Sequence, residues 1–179
     1  MYGLKLCTVF TLAGLLLIAL PALSESTPLR AGDAFPTLEA QTLARKRVVV
    51  PDDLRGKPAF LVMGFNRGAA DNVKKWSVAL QGSRHAPTVY SIAVLDNVPA
   101  FFRGFVLGGI RKSAGKNMLV TFSGTPFEQR FPPGGADDPG VAFIDAKGVV
   151  VRTTRTPFSD EAAAEFAKGT ALTGLWGTG

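Results

Sequence analysis

Cysteine is almost absent: the chain of 179 residues has one, Cys7, inside an uncharged apolar run. If that run is removed, the remaining chain has no thiol, which excludes disulfides, thiolate metal sites and cysteine nucleophiles. Histidine is equally scarce. His85 stands alone between Arg84 and Ala86; one imidazole cannot build a histidine-rich metal site, and it lacks the partners a catalytic triad requires. Glycine is plentiful, but no glycine-rich phosphate motif follows a strand at the required spacing. Asp137 and Asp138 could serve as an acid and base pair or bind Ca²⁺, but in a Pro/Gly loop they read as turn chemistry. No cofactor and no metal is implied.

Charge is modest too. The whole chain carries +6. Its bases are spread among Arg45 to Arg47, Lys74 to Lys75, Arg111 to Lys116 and Arg152 to Arg155, without the single aromatic-laced stripe of a nucleic-acid binder. The expectation is a solvated basic surface, compatible with an anionic membrane face, and no nucleic-acid partner.

The first 24 residues differ from the rest. Lys5 is their only charge, and Leu6 to Leu23 has none. A basic start, an apolar run and Ala22-Leu23-Ser24 fit a signal peptide cleaved after Ser24. The uncharged run of 18 residues also reaches the lower limit for spanning a bilayer, so an uncleaved anchor is the other reading. An organelle presequence fits less well, because Arg and Ser are sparse. In the first two readings the domain from Glu25 onward is exported, either periplasmic or tethered to the inner membrane and facing outward.

Residues 25–173 then suit one domain, with 174–179 as a flexible tail; a domain near this size buries roughly 70% of its unfolded surface. AGDAFPTLEAQTL reads as an extended arm or edge strand, paired with Lys46 to Val50. PDDLRG is a turn. Pro58 to Phe65 is apolar apart from Gly64, which suits a strand buried on both faces. From Ala69 to about Ser83 a helix is expected, with Ala69, Val73, Trp76 and Leu80 on its apolar face and Trp76 in the core. Pro87 to Leu95 is a second strand. A helix from Val98 to about Lys112 should present Phe101, Phe102, Phe105, Val106 and Ile110 as a wide apolar face. Asn117 to Phe122 is a third strand, and Thr125 to Phe131 a helical turn. Gly140 to Thr153 forms a hairpin turned at Ala146-Lys147-Gly148, and Ser159 caps a last helix. The pattern is α/β: a central mixed sheet with a C-terminal antiparallel hairpin and helices on both faces.

That order, with AGDAFPTL, LRGKPAFLVMGF and DPGVAFIDAKGVVV in place, resembles the thioredoxin-like superfamily in its redoxin and peroxiredoxin-type branch. In active thioredoxins, two cysteines stand where the helix N-terminus and its N–H groups stabilise a thiolate. The matching positions here are Ala69 and Asn72. The resemblance therefore implies the fold without its usual oxidoreductase chemistry. Pro139 matches the cis-proline that helps thioredoxins bind extended peptides, unless it is an ordinary loop proline. A second resemblance, to the mitochondrial ATP synthase assembly-factor family and its bacterial counterparts, rests on the GKP strand, the thiol-free loop and a Trp in the following helix. It implies a chaperone for a membrane-complex subunit.

Two functions follow as expectations. The first is a protein partner bound at the former active-site surface, namely Asn66, Arg67, Gly68, Ala69, Asn72, Asp138 and Pro139. The second is a small-anion binder or cysteine-independent enzyme, using Arg67 and the free N–H groups of a helix N-terminus. A thiol-dependent disulfide reductase assay on the mature chain should stay at the no-protein rate; turnover above that rate would overturn the cysteine argument.

Overall fold

The computed structural model describes residues 27–82, 86–96, 98–115, 117–122 and 127–171. His85, Cys7 with the whole segment 1–24, and the tail 174–179 lie outside them.

The first two strands are a hairpin. β1 (Leu38–Thr42) and β2 (Arg47–Val50) pair antiparallel, with Leu38 opposite Val50. In the PDDLRG turn that follows, Asp53 Oδ2 accepts from the Val49 N–H at 2.7 Å and Asp52 pairs with Arg55 at 2.9 Å. Both acids are spent on local turn geometry. β3 (Ala59–Gly64), α1 (Ala70–Leu80), β4 (Thr88–Val94), α2 (Arg103–Ser113) and β5 (Met118–Thr121) then alternate. A 3-10 turn at Phe127–Arg130, the hairpin β6 (Gly140–Ile144) and β7 (Val150–Arg155), and α3 (Asp160–Ala171) complete the chain.

The seven strands lie in the order β2-β1-β5-β4-β3-β6-β7. β3, β4 and β5 run parallel because a helix carries the chain back between them. β1 and β6 join this parallel core antiparallel, one at each side, so most of the pairings are antiparallel. The expected mixed sheet with an antiparallel C-terminal hairpin is what the chain forms, with Gly148 at its turn in the left-handed region, φ 83°.

β3 carries the core. All six of its residues are buried, and alternate side chains serve opposite faces. Phe60 and Val62 join Val73, Trp76 and Leu80 of α1 and Ala163 and Phe166 of α3. Leu61 and Met63 face the other way, onto Leu29 and Phe35 of the N-terminal arm, Phe127 of the 3-10 turn and Phe131 just after it. Cover thus lies on both faces of β3, from α1 and α3 on one and from the arm and the 3-10 turn on the other. Ser159 Oγ accepts from the Ala162 N–H at 3.1 Å and starts α3, as expected of an N-cap.

The second helix corrects the sequence reading. It starts at Arg103, after a 3-10 turn at Ala100–Phe102, and its phenylalanines point outward: Phe101, Phe102 and Phe105 are 81%, 52% and 82% exposed. The half-buried stripe is Arg103, Val106, Leu107 and Ile110, spaced as one helix face. Arg103 is drawn inward because its Nε donates to Val98 O at 3.2 Å and its guanidinium lies 4.4 Å from the centre of the Phe122 ring. That rotation turns the rings away from the sheet. A groove of about 800 Å³, lined among others by Glu39, Gln41, Arg47, Leu107 and Val120, separates α2 from the β1 and β5 end.

Trp76 has no exposed surface and meets Phe158 and Phe166 edge-on, with centroids 6.0 Å away in each case. We predict that Trp76→Ala lowers unfolding free energy by about 3–5 kcal/mol, read from the denaturant midpoint; a loss within error would contradict its place in the core.

Candidate functional site

The candidate surface forms where β3 ends and α1 begins. Gly64 is the last residue of β3, and a Cβ there would lie 3.0 Å from Val73 Cγ2 and 3.6 Å from Ala69 Cβ. A side chain there would crowd Val73, so glycine lets the first turn of α1 sit this close to the strand without displacing it. Ala69 consequently has no exposed area and belongs to the core. Its expected place on the binding surface is corrected: it supports that surface from below.

Asn66, Arg67 and Gly68 are exposed. Asn66 works in two directions. Its Oδ1 accepts from the Ala69 N–H at 2.9 Å, satisfying a donor at the helix entrance, and its Nδ2 donates to Ala136 O at 2.7 Å. Asn72, one turn on, donates to Asp137 O at 3.4 Å and accepts from the Phe158 N–H at 3.3 Å. Two asparagines therefore clamp the loop 132–139 onto the helix start.

The loop is also closed from within and from beneath. Asp138 Oδ2 accepts from the Gly135 N–H at 2.6 Å. Arg155, whose side chain is only 8% exposed, pairs with Glu128 at 2.5 Å, donates to Gly135 O at 3.0 Å and lies 5.3 Å from the Phe65 ring centre. The Asp137 carboxylate rests over Gly68: a Cβ there would fall 2.5 Å from Asp137 Cγ. A carboxylate thus already stands beside the helix N-terminus, where it is favourably placed against the dipole. Pro139 is buried and its peptide bond is trans, so the cis-proline expected from the resemblance is not formed; the cis bond among the described residues is Val50–Pro51.

No protein-family profile and no curated protein matches this sequence. Solved structures do match its shape. The pneumococcal exposed lipoprotein thioredoxin of Streptococcus pneumoniae superposes with a TM-score of 0.54 at 18% identity, over 74% of this chain and 98% of that one. Thiol peroxidase of Chromobacterium violaceum gives 0.54 at 14% identity, over 82% and 90%. Copper-bound ScoI of Arabidopsis thaliana gives 0.54 at 14% identity, over 78% and 99%. The fold is thioredoxin-like.

On this thioredoxin-like frame the residues at the two expected thiol positions, Ala69 and Asn72, do different work: one fills core and the other ties two segments together. The single cysteine of the chain allows no cysteine pair for redox catalysis. Among the described residues no cluster of three or more His, Cys, Asp or Glu could hold a metal, and no helix is long and apolar enough to cross a membrane. The structure brings Asn66, Arg67, Gly68, Asn72, Asp138 and Pro139 together as one patch. It adds Asp137, read from the sequence as turn chemistry alone, and Arg155, for which the sequence offers no signal because its partners Glu128 and Gly135 lie 27 and 20 residues away.

Replacing Asn66 by Ala removes the helix-entrance bond and half the clamp together. We predict a stability loss of about 1 kcal/mol and faster amide exchange at Ala69; unchanged exchange there would show that Asn66 does not hold the helix start.

Proposed function

We propose that this is a redox-inactive thioredoxin-fold protein, exported or held at a membrane by residues 1–24, that binds a protein partner at the former active-site surface. The observation that carries the reading is the clamp between Asn66, Asn72 and the loop 132–139. A helix start that bears reactive thiols in redox enzymes here bears none, yet it is fixed in a defined polar patch rather than left loose. Asn66, Arg67, Gly68 and Asp137 are exposed on it and Asp138 and Asn72 are half-buried. Such a preorganised patch loses little ordering entropy when a partner docks. Ala69 and Pro139 shape it without touching the partner.

The role is of an assembly or chaperone type, with a subunit of a membrane complex as the client. The resemblance to the ATP synthase assembly factors supports that class, and the similarity to an exposed lipoprotein thioredoxin is in keeping with an exported domain. The small-anion alternative is the weaker one. An anion approaching Arg67 at this helix end would meet the Asp137 carboxylate already resting over Gly68.

A photo-crosslinker placed at Arg67 in the native host, with a second at Lys147 on the distant hairpin turn as control, tests the surface. One dominant protein captured from position 67 and absent from position 147 is the expected result. The same adducts from both positions, or none from a folded and expressed probe at 67, would overturn it.

A further inference from the structure

The outward phenylalanines of α2 stand beside a concentration of positive charge that the linear sequence conceals. Arg111 Nη2 donates to Leu43 O at 2.7 Å, which fixes the last turn of α2 against the β1–β2 turn. Two of the four separated groups of bases thereby meet: Arg45, Lys46 and Arg47 from the turn, and Arg111 and Lys112 from the helix, all exposed. The acid beside them, Glu39, is engaged by Arg47. From Asn97 to Phe127 the sequence holds no acid at all. One short helix, about 16 Å long at 1.5 Å per residue, therefore has Phe105 and the preceding 3-10 turn with Phe101 and Phe102 at its first end and a basic cluster at its last.

We propose that α2 and the β1–β2 turn form a surface that docks on an anionic lipid bilayer, with the three phenylalanine rings entering the headgroup and acyl boundary and Arg45, Lys46, Arg111 and Lys112 lying against lipid phosphates. Bulky apolar groups with flanking bases are what an interfacial element needs, because ring burial and attraction to anionic headgroups add. The shape favours a bilayer over a folded partner. Phe101 and Phe105 are more than four-fifths exposed, which suits insertion into a deformable medium. A second copy of the chain is disfavoured because two such basic clusters would face one another. The uncharged run Leu6 to Leu23, in the reading that keeps it as an anchor, would hold the domain beside a bilayer. This docking face is separate from the clamp at α1 and does not depend on the partner proposed there.

Because residues 1–24 can retain the chain on any vesicle, the informative measurement is the surroundings of α2 itself. A Cβ at Gly108 meets nothing within 4 Å, so Gly108→Cys carries a nitroxide on the outer face without disturbing the phenylalanines. The full chain with Cys7→Ser and this label would be placed on phosphatidylcholine vesicles with and without about 30% phosphatidylglycerol, and collision with oxygen compared with collision with a water-soluble nickel chelate. The expected result is a shift from nickel to oxygen on the anionic vesicles, absent on the neutral ones and absent for a label at Lys147. Phe101→Ser with Phe105→Ser, and separately Lys46→Glu with Lys112→Glu, should each return the label to water; these side chains lie outside both core clusters and leave the Arg111 bond to Leu43 in place, so the fold is retained. A label that stays aqueous on anionic vesicles overturns the proposal. So does one shielded equally on neutral vesicles, or shielded before any lipid is added, which would mean a protein contact instead.

Discussion

Burial of β3 on both faces is the constraint from which the rest of the molecule follows. A strand with Phe60 and Val62 on one side and Leu61 and Met63 on the other needs cover on both. α1 and α3 supply it on one face, and the N-terminal arm with the 3-10 turn at Phe127–Arg130 on the other. The strand must also end where a helix can begin at very short range. Gly64 makes that possible, and the depth at which α1 sits in turn fixes Asn66, Gly68 and Asn72 relative to the loop 132–139.

Elements with one strong periodicity were legible in the sequence. The apolar run Pro58 to Phe65, the stripe Val73, Trp76 and Leu80, and the hairpin around Gly148 each report a local pattern that tertiary structure keeps. α2 was legible as a helix but not in its orientation. A count of apolar side chains favours the phenylalanines as the inner face, whereas the structure turns Arg103 inward because a carbonyl at Val98 and a ring at Phe122 await it. Neither contact can be read from spacing alone.

The candidate site was legible as a place rather than as a mechanism. Position in the thioredoxin-like order located Asn66 to Asn72 and Asp138 to Pro139, and the structure brings them side by side. Depth was not readable: Ala69 and Pro139 are small or apolar residues at a junction, and whether such a residue is surface or core depends on how closely helix and strand approach. The pairing of Arg155 with Glu128 beneath the loop is likewise a product of the fold, since it joins β7 to a distant 3-10 turn.

The complete burial of Ala69 bears on whether a thiol could act at that position. A cysteine placed there would put its sulfur into a packed junction against Gly64 and Val73, out of reach of a substrate disulfide. An apolar enclosure of that kind also disfavours the thiolate. Exposing a thiol there would require a looser seat for α1 against β3. The same packing that gives α1 its seat therefore closes position 69 to thiol chemistry.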